Sequence, residues 1–299
     1  MELIRHGDDV PVRRMLRTAT ANAQRLVRDG SPEAATDLLV LLDRVTTLAA
    51  LALDLERPAE FALATGMLLE LFDWGVTHRY APAPGQLPAP QLWLRIAERL
   101  YALGALAVRL GRWSELRRLA LAPVPTLDKE TSGRSWHRHA LTEASRSDLL
   151  ATVSSDGRKQ TLSLFARAVT AGNSSLHPDL PEVSGEHGGA DPLLTSMCQF
   201  DFLTMIISGV QAGATNGQQL LRVSYPNYAS ADGGRVNAIV PSLIADEQMR
   251  SELLPSVSDE HLATVLRVAD QIAAREGQSY WGWEGYQDPQ VRALLGLSD

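Results

Sequence analysis

One short segment of the sequence has residue types that could bind a metal ion: Trp136, His137, Arg138 and His139, with Glu143 four residues further on. Imidazole nitrogens and carboxylate oxygens are common zinc ligands. On an α-helix, His139 and Glu143 share a face, whereas His137 points to roughly the opposite side. This spacing disfavours a three-ligand site. We therefore expect polar surface residues beside a buried Trp136.

A second group of candidate metal-binding or proton-transfer residues lies in a Gly- and Pro-rich stretch. It consists of His177, Asp179, Glu186 and His187. Histidine titrates near neutral pH and is the commonest metal ligand, and flexible loops often carry functional residues. The spacing of these residues matches no specific motif, so a solvated linker is the favoured interpretation.

The apolar stretch 197–210 contains two further candidates, Cys198 and Asp201. The apolar surroundings of Cys198 favour a buried thiol over a nucleophile. A carboxylate among apolar residues is costly unless it is paired, so we expect Asp201 to bind a helix end or an arginine of the first half. The alternative is a functional acid with a shifted pKa. The stretch is too short to span a bilayer.

Two clusters are candidate binding surfaces. The basic cluster could contact phosphate or an acidic helix, and it comprises Arg109, Arg112, Arg117 and Arg118. The aromatic group near the C-terminus comprises Tyr280, Trp281, Trp283 and Tyr286. If exposed, these aromatic rings would anchor an interface. If buried, they would hold the C-terminal helices against the body of the protein, and we favour burial.

Composition and charge exclude several classes of protein. The 299 residues are 45% apolar and carry a formal net charge of −7, which argues against disorder and against wholesale nucleic-acid binding. Cys198 is the single cysteine, so neither a disulfide framework nor a multi-cysteine zinc site can form. No dinucleotide, P-loop, nucleophile-elbow, zinc-protease or EF-hand motif occurs. We expect no cofactor and no metal.

Hydrophobic spacing at helical period dominates the chain and predicts an all-α fold. Ser31, Pro32 and Glu33 form a helix start, with a capping hydroxyl, a proline suited to the first position and an acid near the positive dipole end. Ser258 is a similar cap, and Gly277 is the expected end of its helix. Leu221–Tyr225 and Val236–Val240 are the two candidate strands. The predicted helices are 10–29, 32–56, 58–78, 90–110, 112–121, 134–151, 158–171, 191–213, 238–253, 258–276 and 288–296.

Three breaks divide the predicted helices. Residues 81–90 contain four prolines and are expected to be extended, and 123–133 is a shorter break. Residues 172–192 form the longest break and favour a boundary between two parts. We therefore predict a helical region over 1–171, a linker over 172–192 and a C-terminal helical region over 193–299.

Part of the first region resembles a known repeat. Residues 103–116 contain a Leu-Gly pair seven residues ahead of the turn glycine at Gly111, with Trp113 and Leu116 after it. This spacing resembles the tetratricopeptide helix pair, although Ala107 and Leu116 depart from its usual Tyr and Ala. Looser copies turn at Gly30 and near Arg57. The resemblance covers roughly residues 10–120 and implies an irregular antiparallel helical-hairpin array with a concave binding surface.

The sequence therefore predicts a helical-repeat module that binds a protein partner or senses a ligand, without catalysis of its own. In its excess of arginine over lysine and in residues Leu193–Leu203, the chain is similar to helical regions of large actinobacterial regulatory or defence proteins. This resemblance implies a regulatory role in a larger bacterial system. Residues 1–10 lack an apolar run, so we expect a cytoplasmic protein without a membrane partner. The alternatives are an all-helical enzyme using His137, His139, Asp201 or His187, and a regulatory subunit whose Arg-rich first half touches nucleic acid.

Overall fold

The computed structural model describes residues 9–29, 31–77, 89–124, 136–138, 140, 152–153, 159–160, 191–223, 236–280 and 285–297. The fold is all-α, as the sequence predicts. The helices are α1 Asp9–Asp29, α2 Pro32–Asp54, α3 Pro58–Thr77, α4 Ala89–Arg109, α5 Trp113–Ala120, α6 Asp191–Gln211, α7 Gly217–Val223, α8 Val240–Ala245, α9 Glu247–Leu253, α10 Asp259–Tyr280 and α11 Pro289–Leu295. One short antiparallel pair joins β1 Thr152–Val153 to β2 Lys159–Gln160.

Side-chain caps begin five of the described helices, α7 with its Asn216 among them. The Ser31 hydroxyl accepts a hydrogen bond from the Ala34 amide at 3.1 Å, which confirms the predicted start of α2. The Ser258 hydroxyl likewise accepts from an amide in the first turn of α10. Asp246 and Asp288 cap α9 and α11 with their carboxylates. Each cap satisfies a backbone N–H that the helix itself leaves without a partner.

Two tight turns make consecutive helices fold back on each other. Residues 55–57 link α2 to α3, with Glu56 in the left-handed region at φ 55°. Gly111 links α4 to α5 at φ 64°, a conformation that glycine adopts without the steric cost of a Cβ. The predicted turns near Arg57 and at Gly111 are thus confirmed, and Gly30 lies outside the described residues.

The core is built around α4 and α6. Helices α1, α2 and α3 pack on one another, and α4 packs on α2 and α3. Helix α6 packs on α4 and α5 on one side and on α7 and α10 on the other, while α9 closes over α5. The buried apolar side chains of all these helices form one continuous cluster. Residues before 124 and after 191 therefore share a core.

Four local predictions are wrong. Residues 221–223 belong to α7 instead of a strand, and residues 236–240 are helical or in a turn. Lys159 and Gln160 form β2 where a helix over 158–171 was expected. Helix α10 does not end at Gly277 but continues to Tyr280, because a glycine near a helix end permits termination without enforcing it.

The predicted linker 172–192 lies outside the described residues except for its last two residues, which begin α6. The Pro-rich segment 81–90 also lies outside them, apart from the first two residues of α4. Among the helices of the described ranges, none combines the length and hydropathy needed to cross a bilayer.

Candidate functional site

Four aromatic rings meet where α3, α4, α6 and the helical residues 136–138 converge. Trp136 stacks on Phe200 at 6.4 Å between ring centroids and meets Tyr101 and Phe72 edge-on at 5.7 and 6.5 Å. Its indole N–H donates to the Leu119 carbonyl at 2.8 Å. All four rings are essentially inaccessible to solvent. We name this group, Phe72, Tyr101, Trp136 and Phe200, the aromatic cluster; it is a packed junction, and it confirms the predicted burial of Trp136.

Gly104 allows α4 and α6 to approach closely at this junction. A Cβ at Gly104 would lie 2.4 Å from the Phe200 ring, well inside van der Waals contact. The tetratricopeptide resemblance assigns this glycine to a close helix approach, and in the structure the helix that it meets is α6. Glycine is thus required here by sterics, although it lowers intrinsic helix stability by about 1 kcal/mol.

Asp201 lies beside the Tyr101 hydroxyl at the edge of the aromatic cluster. Burial raises the pKa of Tyr101 well above its usual range, and the negative charge of Asp201 raises it further. Asp201 is itself buried. Asp201 thus faces a phenol of α4, and the expected contact with a helix end or an arginine stays a prediction. The pair links α4 to α6 across nearly a hundred residues of sequence.

His137 is buried, which corrects the expectation of a polar surface residue beside Trp136. Burial, aided by the positive charge of Arg138, lowers its pKa to about 3. A histidine with this pKa is neutral at physiological pH. His139 and Glu143 lie outside the described residues, as do His177, Asp179, Glu186 and His187. Within the described ranges, no three His, Cys, Asp or Glu side chains gather as a metal site requires.

Charged residues of α4 are buried as well. An amphipathic helix usually turns its charged stripe to solvent, but Arg99 and Glu98 are fully buried. Arg99 donates to Asp43 of α2 at 2.6 Å and to the Arg95 carbonyl at 2.9 Å. Burial lowers the pKa of Arg99, and the charges of Asp43 and Glu98 oppose that shift. This ion pair holds α2 against α4.

Helix α6 carries further polar groups on the side that bears Asp201. Thr204 and Ser208 follow at helical spacing and are buried, and their hydroxyl oxygens have no hydrogen-bonding partner among the described residues. Cys198 is buried, as predicted. The chemistry-bearing residues of α6 are therefore enclosed by the packing of the neighbouring helices.

The basic cluster predicted from the sequence divides into two kinds of residue. Arg112 pairs with Glu56 at 2.9 Å and also donates to the Leu53 carbonyl, while Arg118 donates to the Pro58 carbonyl. These two arginines fasten α5 to the α2–α3 turn. Arg109 is exposed at the end of α4 and Arg117 is half-buried on α5. The accessible part of the cluster therefore comprises Arg109, Arg117 and the exposed Arg118.

The aromatic group near the C-terminus is described in part. Tyr286 is buried, and its hydroxyl donates to the Leu266 carbonyl of α10 at 3.3 Å. This confirms burial for that residue. Tyr280 is the last residue of α10, and Trp281 and Trp283 lie outside the described residues. A binding role for these three remains a prediction.

Sequence reasoning missed a basic surface on α1. Arg14, Arg17, Arg25 and Arg28 are all exposed, and at about 100° per residue they fall within an arc of roughly 80°. The opposite side of α1, with Val12, Leu16, Ala19 and Ala23, is buried against α2 and α3. We name the four exposed residues the arginine stripe. Their helical spacing is visible in the sequence.

Comparisons of the chain with protein-family models, with curated proteins and with solved structures gave no match.

Proposed function

We propose that the protein is a helical-repeat interaction module that binds a protein partner and acts in regulation, with no catalysis of its own. The observation that carries this proposal is the arrangement of α1 to α5. Each helix packs on its sequence neighbour, and tight turns at 55–57 and at Gly111 reverse the chain. Stacked helix pairs of this kind expose extended surfaces that suit protein recognition.

The placement of the ionisable side chains supports the same proposal. Arg99 and Asp43 face each other between α2 and α4, and Tyr101 and Asp201 face each other between α4 and α6. These groups hold helices together in the interior. Recognition therefore falls to surface side chains, among which Arg109 and Arg117 suit an acidic partner segment.

The test is affinity capture from the native host with the intact chain, followed by titration of each captured protein, purified, against variants. The variant R109Q/R117Q leaves the contacts of Arg112 and Arg118 intact. It should lower the affinity for a true partner at least tenfold. R14Q/R17Q, with the same loss of charge on α1, should bind that partner like the wild type. If no captured protein binds the purified chain, or if both variants bind equally well, the proposed surface is wrong.

A further inference from the structure

We propose that the arginine stripe of α1 docks on the phosphate backbone of double-stranded DNA. The inference goes beyond the proposed protein partner, because it assigns a second surface to a different class of molecule. The stripe lies on the outer face of α1, and its side chains are exposed along the whole helix. Arg14 and Arg17 have no ion-pair partner among the described residues, so their charges are available.

The composition of the stripe favours phosphate over a protein surface. Protein interfaces have an apolar centre from which charged residues are depleted. Between Arg17 and Arg25 the stripe has only small side chains, Thr18 and Ala21, and all of these positions are exposed. The acidic residues of α1, Asp9 and Asp29, lie at its two ends. Asp29 interacts electrostatically with Arg25, so the clearest excess of positive charge lies at Arg14 and Arg17. That part of the stripe, with no acid among its exposed residues, is complementary to a dense line of negative charge.

The spacing of the arginines fits a duplex. At about 1.5 Å per residue, the pair Arg14 and Arg17 lies roughly 16 Å along the helix from the pair Arg25 and Arg28. The major groove of B-DNA is about 12 Å wide, so each pair can reach one of the two flanking phosphate strands. Thr18, Ala21 and Asn22 would then lie over the groove, where small side chains permit close approach. Guanidinium groups also match phosphate oxygens in bidentate geometry.

The proposed contacts are with the phosphate backbone and do not distinguish one base sequence from another. Sequence recognition requires side chains that contact base edges, and the proposal assigns the stripe to phosphates. The affinity should therefore depend strongly on salt and weakly on sequence. Two to four phosphate contacts predict a slope between about −1.8 and −3.6 for log K against log salt concentration. The net charge of −7 does not oppose this, because exposed charges beyond about 10 Å are screened at ordinary salt.

The experiment measures fluorescence anisotropy of a labelled 30-base-pair duplex of arbitrary sequence, titrated with the full chain at two low salt concentrations. The wild type should bind, and R14Q/R17Q should bind at least tenfold more weakly, with the salt slope reduced by about 2. The matched control is R109Q/R117Q, which removes the same charge from α4 and α5 and should bind like the wild type.

Three results would overturn the proposal. The first is that the wild type does not bind the duplex at the lower salt concentration, and the second is that both double variants lose the same DNA affinity. The third is that R14Q/R17Q no longer binds a captured protein while the wild type binds no DNA. The last would assign the stripe to an acidic protein. Failure here leaves the proposed protein partner intact, because that partner is tested through the other pair of arginines. Circular dichroism of each variant checks that the helices are retained.

Discussion

Arg99 of α4 donates to Asp43 of α2 at 2.6 Å, with the arginine side chain fully buried and the aspartate 18% exposed. The pair is therefore asymmetric. Loss of Asp43 leaves a buried guanidinium short of its counter-charge, whereas Asp43 can still be reached by water. A second ion pair, Arg112 with Glu56, has a similar length of 2.9 Å, but Glu56 is 71% exposed. The two pairs offer a direct comparison of burial.

The first prediction compares these ion pairs. D43A should lower the free energy of unfolding by about 3 kcal/mol, because it removes the hydrogen-bonded counter-charge of a buried guanidinium. E56A should lower it by about 0.5 kcal/mol or less, as exposed pairs usually do. Urea denaturation of both variants measures the difference. Equal losses would show that the Arg99 pair is solvated despite its burial.

The second prediction concerns the contact of Gly104 with Phe200. G104A should destabilise the protein by about 1 to 3 kcal/mol, because the new methyl group must displace a fully buried ring. G66A is the control, since Gly66 is also within a helix but has no atom within 4 Å of the position of a Cβ. It should stabilise the protein by up to about 1 kcal/mol.

A double-mutant cycle tests whether the effect of G104A acts through Phe200. Leucine at position 200 makes room for the added methyl group, so G104A should cost less in the F200L background than in the wild type. If G104A costs the same in both backgrounds, the close approach of α4 and α6 is not the reason for the glycine.

The third prediction uses the two buried tyrosines. Tyr101 and Tyr286 are equally buried, but the Tyr101 hydroxyl lies beside a carboxylate and the Tyr286 hydroxyl donates to a carbonyl. A buried carboxylate costs more free energy than a buried neutral carbonyl, so the hydroxyl dipole that faces Asp201 should contribute more to stability. Y101F should therefore cost about 2 kcal/mol and Y286F about 1 kcal/mol or less in urea denaturation. The reverse order would contradict the pairing of Tyr101 with Asp201.

The fourth prediction is a pH dependence that comes from His137. Its pKa is about 3 in the folded chain and near its ordinary value of 6.5 when unfolded, so the unfolded chain binds the extra proton between these values. Stability is therefore fully present above pH 6.5 and falls as the pH drops toward 3. Between pH 7.5 and pH 5 the loss is about 2 kcal/mol.

The variant H137Q removes this titration while keeping a polar side chain. The stability difference between wild type and H137Q should shrink by about 2 kcal/mol as the pH falls from 7.5 to 5, measured by urea denaturation at each pH. A difference that stays constant across this range would place His137 in contact with water in the folded protein.

Local signals made most of the helices predictable. Ser31 and Ser258 cap helices through contacts within their own first turn, so their sequence neighbours contain the information. The short helix α7 was missed because apolar and β-branched residues around 221–225 also fit a strand. The available signal was Asn216, whose side chain accepts from the Gln219 amide at 3.1 Å and caps the helix.

The interior chemistry could not be predicted, because its partners are distant in sequence. Arg99 pairs with Asp43, 56 residues away in the sequence. Asp201 faces Tyr101, which is still further away in the sequence. A single sequence gives the polarity of a residue and its position on a helix face, but not the element that will cover that face. For the same reason the burial of His137 depends on its three-dimensional neighbours and not on its flanking polar residues.

The contact of Gly104 with Phe200 also sets an order of events while the chain is being made. The two residues are almost a hundred positions apart, and ribosomes add about 5 to 20 residues per second. Roughly 5 to 20 s therefore pass between the synthesis of Gly104 in α4 and that of Phe200 in α6, which packs against it. During that interval the apolar surface of α4 lacks its α6 partner, and we expect a chaperone that acts during translation to bind it.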